Sequence, residues 1–124
     1  MRTVLRRGLF AATAFLAVAV RVATCAGPDD VVREWNRHAA SLSLSPAAAL
    51  VTVQQARAKA IVQVSVHDAI NSVTGEFETY TQHAVPPAGA SVEAAAIGAA
   101  HQALVALFMS QKSFLDSTLS SSLA

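Results

Sequence analysis

The stretch from Pro46 to Val73 constrains the fold most, because after Pro46 itself it contains neither glycine nor proline. Ser45 can cap a helix that has Pro46 in its first turn, and Gly75 supplies a stop. Valines alternate with polar residues across 62–66 as in a strand, but the residues before them favour a helix and no turn signal intervenes. We therefore predict one long central helix over 46–73.

The second half of this helix is apolar on almost every side. Ile61 and Val64 fall on one face, whereas Val62, Val66 and Val73 lie a third of a turn or more away. A helix with this pattern is buried by neighbours on several sides. The pattern predicts an all-α fold, in which this is the central helix of a bundle larger than three short partners can build.

Three shorter helices should surround the central one, giving a partial bundle of about four helices. The first should start with Asp29 or Asp30 as its cap and be anchored by Trp35. Ser91 should cap the third, and Ser110 should begin the last.

The connection between the central and third helices should be a loop. Pro86, Pro87 and Gly89 interrupt any regular element there. We expect the aromatic rings of Phe77 and Tyr80 to fix this loop to the body of the protein.

Residues 1–26 have the pattern of a signal peptide that is cleaved near Cys25 or Ala26. Basic residues come first, and an uncharged apolar run, Leu9–Val20, follows them. That run is shorter than the roughly 20 residues that span a bilayer, so we expect no transmembrane helix in the mature chain. We predict export to the periplasm or the medium; lipidation at Cys25 is less favoured, because Thr24 stands where lipoproteins prefer a smaller residue.

Removal of the leader would reverse the sign of the net charge. Four of the nine Lys and Arg residues, and none of the eight acidic residues, lie in it, so the charge changes from +1 to −3. No basic stripe remains, and we expect no nucleic-acid partner.

The polar residues of the apolar helices are the candidate site residues: His67, Asp68, Asn71 and His101. Adjacent helical residues point about 100° apart, so His67 and Asp68 are poorly placed to act on one atom together. Asp68 shares a face with Asn71, and we expect it to be a buried carboxylate held by hydrogen bonds.

A metal site at Asp68 with His67 or His101 is the less favoured alternative, because the sequence has no histidine pair at i, i+4 on a helix and no cysteine cluster. It also has no glycine-rich phosphate loop and no G-x-S-x-G motif. We assign structural roles to the four polar residues and no catalytic, cofactor-binding or metal-binding residue to the chain.

Three segments carry a resemblance to a known family: "HDAIN" at 67–71, "PPAGASVEAA" at 86–95 and "AHQALVALFMSQ" at 100–111. With their surroundings, from Asp30 to Ala124, they resemble the N-terminal helical part of bacterial vanadium-dependent haloperoxidases, in the superfamily of type 2 phosphatidic acid phosphatases. Two positions depart from the family pattern. Met109 stands where relatives tend to have proline, and Gln63 stands where they often have histidine.

The resemblance implies that 27–124 is the N-terminal helical portion of a haloperoxidase-like domain, truncated before the active-site region. The intact family oxidises halide with hydrogen peroxide on vanadate, or hydrolyses phosphomonoesters. It holds the anion with a Lys and Arg cluster and a "PSGH" segment, neither of which is present here, so no catalytic residue carries over and we expect no cofactor in this chain.

The expected partner is then the C-terminal helical core of such an enzyme, or a second copy of the chain bound through exposed apolar helix faces. The alternative is a non-catalytic exported helical module that acts by binding.

Overall fold

The computed structural model describes residues 28–81 and 84–124. Within these ranges the chain forms four α-helices and no strand, which confirms the all-α class and the number of helices. The helices are α1 (Pro28–Leu44), α2 (Thr52–Thr74), α3 (Val92–Leu107) and α4 (Lys112–Ser122). The predicted signal peptide, including its cleavage site near Cys25, lies outside the described residues.

The central helix is shorter than predicted, because α2 begins at Thr52 and not at Pro46. Ser45 and Pro46 do start a helical turn, but it is a 3-10 turn, Pro46–Ala48, in which the Ser45 hydroxyl accepts a hydrogen bond from the Ala47 amide at 3.3 Å. Ala49 then takes a left-handed conformation with φ of 49°, which ends the turn.

Two glutamines mark the true beginning of α2. The Gln54 side-chain oxygen accepts a hydrogen bond from the Val51 amide at 3.1 Å, which supplies half of a capping box. The Gln55 side chain donates to the Leu50 carbonyl at 2.9 Å. At the other end Gly75 stops the helix as predicted, with φ of 66° and its amide bonded to the carbonyl of Asn71.

The predicted cap is confirmed for α3 and wrong for α1 and α4. Ser91 caps α3, its hydroxyl accepting from the Ala94 amide at 3.2 Å. α1 already begins at Pro28, a residue well suited to a first turn, so Asp30 lies inside the helix. α4 begins at Lys112, because Ser110 belongs to a 3-10 turn, Met109–Gln111, that precedes the helix.

The helices run alternately up and down. Leu42 near the end of α1 and Leu50 before the start of α2 both lie beside Phe108, at the end of α3. α1 and α3 therefore point in the same direction and α2 in the opposite one. The buried core is formed by apolar side chains from all four helices: Val31, Trp35, Ala39, Leu42, Ala58, Val62, Val66, Ala96, Ile97, Ala100, Leu104, Phe108 and Leu115.

α2 is the central helix, but it is only partly covered. It packs against α1 and α3 through Ala58, Val62 and Val66. Its first half is largely exposed, and in its second half most other side chains are half-buried, among them Ile61 and Val64. The burial of α2 on several sides that the sequence pattern predicts is thus incomplete among the described residues.

None of the helices in the described part of the chain is long and apolar enough to cross a membrane.

Candidate functional site

Asp68 is the most highly connected polar residue of α2. It is 5% exposed, and its carboxylate accepts three hydrogen bonds from the loop that follows the helix. The Tyr80 amide donates at 2.7 Å, and Thr81 donates through its amide at 2.9 Å and its hydroxyl at 2.6 Å. These bonds, the Thr81 hydroxyl foremost, hold the pKa of the Asp68 carboxyl far below its usual range. Asp68 is therefore an ionised anchor for the loop.

His67 lies at the edge of this anchor. Its Nδ1 is 3.5 Å from the nearer carboxylate oxygen of Asp68, and its ring contacts the Tyr80 ring at a centroid distance of 5.1 Å. The Asn71 amide donates to the His67 carbonyl at 3.0 Å and also lies 3.0 Å from Nε2 of its ring. The three polar residues of α2 thus form one cluster, and Asn71 and the Tyr80 ring fix the position of the His67 ring.

The loop is held differently from the prediction. The expectation that the two rings fix the loop to the body is met only in part, because Phe77 and Tyr80 are 69% and 74% exposed, whereas the Tyr80 ring contacts the His67 ring. The backbone amides of residues 80 and 81 also hold the loop, by bonding to the Asp68 carboxylate.

His101 belongs to a second cluster, between α1, α3 and α4. It is buried, and its Nε2 lies 2.9 Å from the carboxylate of Asp116, which also pairs with Lys112 one turn earlier in α4. Lys112 first and His101 second lower the pKa of the Asp116 carboxyl. The Trp35 ring meets the His101 ring edge-on at 6.3 Å. His101 thus links α3 to α4 through its bond to Asp116 and contacts α1 through the Trp35 ring.

The structure does not join the two clusters into one site. Asp68 bonds to the loop, whereas His101 bonds to Asp116. Among the described residues, no group of three His, Cys, Asp or Glu side chains is placed to hold a metal ion. Both clusters satisfy buried polar groups, and neither presents a nucleophile beside a free base.

One buried polar atom remains without a partner in the described part of the chain. The indole nitrogen of Trp35 makes no hydrogen bond, although the ring is almost fully buried. The ring lies edge-on to the imidazoles of His38, at 5.7 Å, and His101. Sequence reasoning predicts Trp35 as an apolar anchor but gives no indication that it packs between two histidines.

Whether the described residues could hold vanadate depends on the placement of their Lys and Arg side chains. A trianion requires several converging Lys or Arg side chains. Arg33 and Lys112 are paired with carboxylates, and only Arg57 lines any of five surface cavities that the described residues form. These residues do not fit vanadate, and no step of halide or phosphate chemistry can be assigned to them.

A groove of about 510 Å³ lies between α2 and α3, with the loop at 84–90 as one wall. No charged side chain lines it. Comparison with known proteins adds no family or activity: no protein-family model, curated protein or solved structure matches the chain.

Proposed function

We propose that the chain is the N-terminal helical scaffold of an exported enzyme of the vanadium-dependent haloperoxidase or type 2 phosphatidic acid phosphatase kind, and that it contributes no catalytic residue of its own. The partial cover of α2 is the observation that carries the proposal. Ile61, Val64 and Ile70 are only half-buried among the described residues. A helix that is apolar on nearly all sides is stable when further helices cover it.

The polar clusters support a scaffold role. Both carboxylate oxygens of Asp68 accept hydrogen bonds from the loop, and His101 is bonded to Asp116. A catalytic acid or base needs a free acceptor or donor near the substrate and a pKa close to the working pH. Asp68, with its strongly lowered pKa, is suited to holding structure. In this proposal the anion-binding cations and the "PSGH" segment belong to the further helices.

A second candidate function is an exported helical module that acts by binding another protein. The uncharged groove between α2 and α3 favours it, because exposed contiguous apolar surface can mark a site of protein–protein interaction. The two candidate functions predict different behaviour of the isolated chain. A binding module should be stable alone, whereas a scaffold without its other helices should expose apolar surface and associate.

The genomic DNA beyond the codon for Ala124 tests the first proposal directly. A continuation in any reading frame that encodes a Lys and Arg cluster and "PSGH" supports the scaffold, and unrelated sequence refutes it. At the protein level, residues 27–124 should show helical circular dichroism and no vanadate binding in a titration followed by vanadium NMR. Micromolar binding would show that the chain carries its own anion site, and a chain that stays monomeric at high protein concentration would favour the binding module.

A further inference from the structure

A phenylalanine flanked by two carboxylates stands in the loop that follows α2. Phe77 lies between Glu76 and Glu78, and all three side chains are exposed, that of Phe77 by 69%. The loop is held on both sides of this ring: the Gly75 amide bonds to the last turn of α2, and the backbone at residues 80 and 81 bonds to Asp68. An exposed ring on a loop that is already fixed loses little conformational entropy when it makes a contact.

A cavity of complementary chemistry lies towards the other end of α2, beside the end of α3. Its volume is about 220 Å³, and its lining is apolar except for Gln54 and Arg57. An apolar cavity of about 150 Å³ holds a benzene molecule, so this one has room for a phenylalanine ring. Arg57 is exposed and forms no ion pair with another side chain of the described residues. The cavity therefore combines an apolar interior with an unpaired cation.

Charge is divided between the two ends of α2. The sequence between Glu34 and Asp68 contains three Lys or Arg residues and no acidic residue, whereas 68–111 contains four acidic residues and neither Lys nor Arg. The cavity thus lies in a positive region and the loop in a negative one. They do not meet within one chain, because even Asp68, to which the loop is bonded, is roughly 16 Å from Arg57 along the helix axis. Complementary regions on one molecule favour the association of two copies in opposite orientations.

The loop and the cavity are on the same side of α2. Asp68 and Gly75 follow Arg57 by 11 and 18 residues, which correspond to about three and five helical turns. The loop therefore leaves the helix on the side of Arg57, and its bonds to Asp68 keep it there. Val64 lies on this side between the two features and is only half-buried.

We propose that two copies of the chain pair through this side of α2, running in opposite directions. Each copy places Phe77 in the cavity of the other, with Glu76 and Glu78 beside the partner's Arg57. The guanidinium can pair with a carboxylate and pack against the aromatic ring. A two-fold axis near Val64 relates the copies, so that both complementary contacts are used in each, whereas a head-to-tail contact leaves one ring and one cavity unused at the ends.

This pairing goes beyond the proposed function and does not depend on it, because every residue that it uses belongs to the described part of the chain. It gives the uncovered side of α2 one defined occupant, a second copy, in place of association through apolar surface in general.

Sedimentation equilibrium of the full chain over a range of micromolar concentrations tests the proposal. We expect the mass to approach that of a dimer, and Arg57→Glu and Phe77→Ala each to raise the dimer dissociation constant at least tenfold. Both positions are exposed, so both variants should retain the helical circular dichroism. The matched controls are Arg37→Glu, an exposed cation of α1, and Val85→Ala, which is 95% exposed; they should leave the dissociation constant unchanged.

An exchange of charges provides the second arm. A chain that carries both Glu76→Arg and Glu78→Arg should also be a monomer, because like charges then meet at each contact. Mixed in equal amounts with the Arg57→Glu chain, it should form a dimer of one copy of each, since both contacts again join opposite charges. Association through any other surface would not show this recovery.

Four outcomes would overturn the proposal. They are a wild-type chain that remains monomeric at hundreds of micromolar, association that neither Arg57→Glu nor Phe77→Ala weakens, no recovery on mixing, and a mass that grows past the dimer with concentration, which would indicate open head-to-tail chains. None of them bears on the scaffold proposal, which depends on the sequence that follows Ala124.

Discussion

Ala49→Gly distinguishes the observed chain path from a continuous helix over 46–73. Ala49 is exposed and has φ of 49°, a left-handed conformation that costs an L-residue roughly 1–2 kcal/mol. Glycine removes that cost, but it also makes the unfolded chain more flexible, which destabilises by about 0.4–1 kcal/mol. We expect a net gain of about 0.5–1 kcal/mol in the free energy of unfolding.

A continuous helix would give the opposite sign. Glycine in place of an exposed alanine inside a helix destabilises by about 1 kcal/mol. Ala56→Gly, at an exposed position inside α2, provides this control. Since 1 kcal/mol corresponds to about 4–8 °C in the melting temperature of a domain of up to about 100 residues, the two variants should shift in opposite directions by several degrees.

The measurement is thermal and urea unfolding of residues 27–124, followed by far-ultraviolet circular dichroism at a protein concentration low enough to avoid association. The unfolding midpoint should rise for Ala49→Gly and fall for Ala56→Gly. If both variants lose stability to the same extent, the left-handed break before α2 does not exist and the reasoning is refuted.

Three further predictions concern the core and the two polar clusters. Leu104→Ala should lower the free energy of unfolding by about 2–5 kcal/mol, because Leu104 is fully buried, whereas Leu44→Ala, at an exposed position, should stay within about 0.5 kcal/mol in the same urea titration. Asp68→Asn should speed hydrogen exchange at the Thr81 amide, and unchanged exchange would show that the carboxylate does not hold the loop. The pKa of Asp116 is lowered in the folded state. The contribution of Asp116 to the free energy of unfolding is therefore present above the ordinary carboxyl pKa and is lost as the pH falls through the pKa of the folded protein. The difference in melting temperature between the wild type and Asp116→Asn should therefore be largest near neutral pH and shrink below about pH 4; a constant difference would contradict the ion-pair explanation.

Local signals in the sequence predict much of the fold. Ser91 and Gly75 are correctly identified as a cap and a stop, because each acts on residues no more than four positions away. The start of α2 is missed because an alanine in the left-handed region carries no sequence signal, although Gln54, three residues after Val51, fits the second half of a capping box.

The contacts of the candidate site residues are harder to predict from the sequence than the helix ends are. Periodicity places Asp68 in the interior of the bundle, but its partners lie 12 and 13 residues further on, in a loop whose path no pattern predicts. The bond between His101 and Asp116 likewise depends on how α4 packs against α3. Contacts of this kind follow from tertiary packing, which a single sequence does not reveal.

The loop that is bonded to Asp68 also forms part of the groove between α2 and α3. The loop that Asp68 holds through Tyr80 and Thr81 continues to Val85 and Pro86, which form one wall of the groove between α2 and α3. An ionised carboxylate with both oxygens occupied is of little use to an active site, but its three hydrogen bonds hold the backbone at Tyr80 and Thr81 in place. The buried carboxylate therefore fixes the loop between α2 and α3 four residues before Val85.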